Sequence, residues 1–83
     1  MSDMLMSFEV RQGSSELDVF LDREGLHTLL SQLAFLDEGK TDHIHLMAES
    51  WGGHDLAETP IDETATPLRH VKVRMVQNSS DSM

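Results

Sequence analysis

In Met4 to Val10, the residues Met4, Met6, Phe8 and Val10 alternate with Leu5, Ser7 and Glu9, the period of two expected of a half-buried strand. Gly13-Ser14-Ser15 then marks a turn, and Glu16 to Leu21 alternates again, with Leu17, Val19 and Leu21 on one face and Glu16, Asp18 and Phe20 on the other. The two stretches predict a hairpin with one inward face and one acidic, open face. Phe20 falls on the open face, where an exposed ring points to contact with a partner or a second subunit.

After Asp22 the period changes. Leu26, Leu29, Leu30 and Leu33 follow at offsets of three, four and seven, and Phe35 and Leu36 widen the stripe into the apolar face of an amphipathic helix. Asp22 can cap its start by accepting a backbone N–H, and the helix ends near Glu38. Gly39 is placed to take the left-handed conformation that closes it, and Lys40 puts a cation at the negative end of the dipole.

Two further strands are predicted at Asp42 to Ala48 and Leu68 to Val76. In the first, Ile44, Leu46 and Ala48 oppose His43, His45 and Met47; in the second, Arg69, Val71, Val73 and Met75 oppose Leu68, His70, Lys72, Arg74 and Val76. With Val71, Val73 and Met75 packed on the helix, the open face carries His70, Lys72 and Arg74. Between these strands runs ESWGGHDLAETPIDETATP, too long for a hairpin connection and of the kind that carries function. The pattern predicts an α+β fold: a four-stranded antiparallel sheet with one helix packed on one face, in the order ββαββ. It forms a single domain over residues 1–77, followed by a polar, aperiodic tail, residues 78–83.

At 83 residues the core of such a domain is small, which disfavours a deep enzymatic cleft. The lack of cysteine excludes disulfides and thiolate chemistry. Fifteen acidic residues against six basic ones give a net charge of −9, which argues against nucleic acid or anionic lipid as partner and favours a basic protein. The amino-terminal stretch has an acid at Asp3 and no basic cluster, and no apolar run approaches the roughly 20 residues of a membrane span. A cytoplasmic protein that contacts no membrane is expected.

Candidate chemistry concentrates in HIHLMAESWGGHDLAE, residues 43–58. His43 and His45 lie on one side of a strand, about 7 Å apart, a spacing that chelates a divalent ion when His54, His70, Glu49 or Asp55 supplies a third ligand. The same alternation arises on any solvated sheet face. No cysteine, nucleophile elbow or phosphate loop is present, and the pairs Asp37-Glu38 and Asp62-Glu63 occupy positions where solvated charge is ordinary. An enzyme is therefore not expected, and no cofactor is called for. Trp51, flanked by Gly52 and Gly53, is either core filler or an interface anchor, the role in which tryptophan is most enriched. As an anchor it would be rimmed by Glu49, His54, Asp55 and Glu58, which would steer a basic partner.

The order of motifs over Leu17 to Val73 resembles a bacterial immunity-protein family of the polymorphic toxin systems, the immunity protein 32 family. The resemblance is strongest in GKTDHIHL from Gly39 to Leu46 and SWGGHDL from Ser50 to Leu56. It implies a small α+β domain with a characteristic tryptophan, here Trp51, which neutralises a cognate toxin by binding it and performs no chemistry. Two readings stand beside this one: a small divalent-metal protein or enzyme using His43, His45 and His54 or His70, and a homodimeric interaction module.

Overall fold

In the computed structural model, which describes residues 4–76, the first two alternating stretches form the expected hairpin, β1 (Met6–Arg11) and β2 (Leu17–Leu21), antiparallel with Phe8 opposite Val19. The helix α1 (Arg23–Asp37) follows directly, because the Asp22 carboxylate accepts the Gly25 N–H at 2.7 Å and completes the first turn. At its other end Gly39, at φ 76°, donates to Leu36 and the Lys40 N–H reaches the Phe35 carbonyl, the paired bonds of a Schellman stop. Lys40 itself bonds Glu38 at 3.1 Å, beyond the last helical turn.

The strand arrangement departs from a single four-stranded sheet in the order ββαββ. Five strands are described, in a three-stranded sheet, β2-β1-β4, and a two-stranded sheet, β3-β5. Here β3 is His43–Met47, β4 is Ala65–Pro67 and β5 is His70–Arg74. The expected strand from Leu68 to Val76 is shorter, and β4 comes out of the long loop before it. The reason is a change of partner. Residues 65–67 pair with β1; the Leu68 N–H donates to the Phe8 carbonyl; then the Arg69 carbonyl accepts the Ala48 N–H, and the chain runs on against β3. Pro67, which has no N–H to donate, sits where that ladder ends.

The core spans both sheets. Met6 and Phe8 from the first meet Leu46 and Ala48 from the second, with Leu56 between them and Leu21, Leu29, Leu68 and Val71 packed around. Leu17 and Val19, expected inward, are 49% and 43% exposed, because β2 is an edge strand. Phe20, expected on an open face, is half-buried. The other face of β1 is not open either: Ser7 and Glu9 are both buried. The segment after Ala57 folds over them, and the Glu9 carboxylate accepts the N–H groups of Ile61 (2.7 Å) and Asp62 (3.1 Å) as well as the Ser7 hydroxyl. The polar tail over residues 78–83 lies outside the described residues.

Candidate functional site

The site is built on the carbonyl at the end of β3. The Ala48 carbonyl accepts the Trp51 N–H at 2.9 Å and the Gly53 N–H at 3.0 Å, which winds Glu49–Trp51 into one 3-10 turn. Gly52, at φ 91°, supplies the left-handed residue that ends the turn, a conformation costly to any residue with a side chain. Gly53 is buried, and a Cβ there would lie 2.5 Å from the Met47 carbonyl oxygen. The pair of glycines therefore has two separate reasons, a backbone angle and a close approach.

The rest of the loop is tied back to the same strand end. Met47 accepts the N–H groups of Asp55 (2.9 Å) and Leu56 (3.2 Å) through its carbonyl, and its own N–H donates to the Asp55 carboxylate at 3.3 Å. Glu58 accepts the Ser50 N–H and lies 3.9 Å from Arg69. The Ser50 N–H is the main reason that the Glu58 carboxyl sits below its usual range, with the Arg69 charge contributing less. Two acids of the expected rim, Asp55 and Glu58, are thus partly committed to holding the loop, while Glu49 and His54 stay exposed.

Trp51 is 58% exposed on this pinned turn and is not core filler. Its indole leans on the His70 ring with centroids 5.3 Å apart. His70 in turn stacks on His45 at 5.2 Å, and His45 meets His43 edge to face at 5.0 Å. Four rings therefore run in a row across the open face of β3 and β5. The register makes this possible by setting Met47 opposite His70, His45 opposite Lys72 and His43 opposite Arg74. Opposed residues of an antiparallel pair share a face.

The imidazoles of His45 and His70 face each other, Nδ1 to Nε2, at 2.9 Å. One facing nitrogen must carry the proton and the other must be bare, so at most one of the two rings is charged while the bond holds. Desolvation pushes the His45 pKa below the ordinary value, and the neighbouring His43, His70 and Lys72 push it further in the same direction. His43 is held otherwise, its Nδ1 2.7 Å from the Asp42 carboxylate, which lowers the Asp42 pKa.

Of the possible metal ligands, the structure brings His43, His45 and His70 onto one face and leaves His54 apart in the loop. Among the described residues no group of three His, Asp or Glu side chains is arranged to hold a metal ion. A cation between His45 and His70 would also face Lys72 across the strand pair. In comparisons with known proteins, the chain matches no family model, no curated protein and no solved structure.

Two features of the site were not foreseen from the sequence. The stack of Trp51 on His70 joins residues on different elements, and only the β3–β5 register brings them together. The engagement of Asp55 and Glu58 depends on the loop's path. The signal that could have found it is the polar residue near each end of a glycine turn, where backbone donors need acceptors.

Proposed function

We propose that this protein is an immunity protein, a stoichiometric inhibitor that binds a cognate bacterial toxin and blocks its active surface without chemistry of its own. The loop from Glu49 to Glu58 and the adjoining open face of β3 and β5 make the contact. One observation carries this reading: the single tryptophan of the chain is displayed to solvent on a turn whose backbone is hydrogen-bonded on both sides. An anchor already held in place gives up little conformational freedom on binding, which is how a small rigid inhibitor reaches high affinity over a modest area.

The net charge of −9 supports the same reading at longer range, because it draws in a basic toxin and speeds encounter. The reading extends the resemblance of GKTDHIHL and SWGGHDL to an immunity-protein family. The test is a pull-down of the tagged protein against the products of its neighbouring genes, repeated with Trp51→Ala. Stoichiometric capture of a toxin domain is expected, with the variant binding about 30-fold more weakly, as for the loss of an interface anchor worth about 2 kcal/mol. Because the indole is exposed, the variant should melt close to the wild type. Capture that survives the substitution unchanged, or a variant that unfolds, would remove Trp51 as the anchor.

A further inference from the structure

The face that displays Trp51 is the basic side of an acidic molecule. Lys72 and Arg74 stand on the open face of β5 beside the three histidines, and both are exposed. Among the described residues neither makes an ion pair, whereas Arg11, Lys40 and Arg69 each lie within 4.0 Å of a carboxylate. Of the acids nearest this face, Glu49 is exposed in the Trp51 turn and the others are engaged, Asp42 also feeling the Arg74 charge. Asp42 is bonded to His43 at the far end, and Asp55 and Glu58 hold the loop.

We infer that the open face of β3 and β5 docks a carboxylate-bearing stretch of the partner protein. Lys72 and Arg74 supply the charge, the bonded pair of His45 and His70 supplies its one outward N–H, and Trp51 packs against the apolar neighbour of that stretch. This rests on the reading of the Trp51 face as the surface that meets a toxin, and it names what the toxin must present there. The occupant is a protein segment and not nucleic acid. Two full cations on a chain of net charge −9 release too few counterions to hold a polyanion. Long-range attraction to a basic protein and short-range attraction to carboxylates are compatible in one partner. An enzyme that grips a divalent metal with Asp and Glu inside a basic, phosphate-binding surface presents both.

The test titrates the full chain with a hexaglutamate peptide, followed by amide chemical shifts in NMR, for the wild type and for the double variant Lys72→Glu/Arg74→Glu. Shifts confined to β3, β5 and the Trp51 turn are expected, with binding at least roughly tenfold weaker in the double variant, as two reversed surface charges require. Equal binding by the two proteins, or tighter binding of a thymidine oligonucleotide than of the peptide, overturns the inference. So does concentration-dependent dimerisation that the double variant abolishes, since the face would then belong to a second copy. Toxin capture separates this inference from the reading beneath it. If capture depends on Trp51 but is indifferent to the double variant, the inhibitor reading stands and the carboxylate contact falls. If no toxin is captured, both fall.

Discussion

A carboxylate sealed inside a chain of 83 residues is costly unless its lone pairs are filled. Glu9, 1% exposed, fills them with the Ser7 hydroxyl and the N–H groups of Ile61 and Asp62. Burial pushes its pKa up, but the three hydrogen bonds outweigh burial and the carboxyl ends below its ordinary range. A depressed pKa in the folded state means that the unfolded chain binds the proton more readily. The contribution of Glu9 is therefore present above the unfolded value, near 4.5, and is lost as pH falls through the folded value. Glu9→Gln sets an amide N–H against a backbone N–H and should cost about 1–3 kcal/mol at neutral pH. Urea unfolding across pH checks this: the gap between the two proteins should narrow in acid, and a gap that is absent at neutral pH, or that does not change, would show that Glu9 is not what holds the loop. The alternation of β1 marks Glu9 as outward because a period of two distinguishes two faces and cannot say that a distant segment covers the second.

The elements divide by the range of the interactions that set them. Both ends of α1 were legible, since Asp22 and Gly39 act on backbone groups within one turn. Gly25 was not legible as more than a weak point in the helix, because its reason lies in β1's approach: a Cβ there would stand 1.9 Å from the Leu5 carbonyl oxygen. The same carbonyl accepts the Asp22 N–H at 3.2 Å, so helix and strand meet backbone to backbone. Two effects oppose each other in Gly25→Ala. Helix propensity favours alanine by about 1 kcal/mol. The overlap forces α1 away from β1 and costs about 1–3 kcal/mol or more, as overpacking does. The overlap is far inside van der Waals contact, so the variant should be less stable, read as a lower melting temperature. A stabilised variant would mean that the helix start shifts freely. The split of the predicted fourth strand has a similar origin, since the pattern of Leu68 to Val76 is that of a strand while its pairing changes partner at Leu68 and Arg69.

At the scale of the molecule, two small sheets that separately bury too little are joined twice, where Leu68 and Arg69 pass from β1 to β3 and again through residues 56 and 57. Leu56 bridges to Ala48 beside β3, and the next N–H, of Ala57, donates to the Met6 carbonyl of β1 at 2.8 Å. The Leu56 side chain, meanwhile, enters the cluster of Met6, Phe8, Leu46 and Ala48. The α+β class was legible, because the hydrophobic period is a local property, whereas the alternation put Phe20 outward and left Trp51 between core and surface. The pairing of the sheets was not legible, because in a loop rich in acids, threonine and turn formers nothing distinguishes Leu56 from any other apolar residue. The splice also ties the candidate site to the core: the Trp51 turn hangs from Ala48, and Leu56 closes the same loop. Leu56→Ala should therefore cost about 2–5 kcal/mol, the range for truncating a buried leucine, most of what a domain of this size possesses. Its effect should reach both sheets together. Hydrogen exchange followed residue by residue should show amides of β1, β3 and β5 losing protection in concert, with Leu56→Met close to the wild type because it conserves volume. If β1 and β2 keep their protection while β3 and β5 open alone, the sheets are separate folding units, and the Trp51 face is free to move relative to the hairpin of β1 and β2.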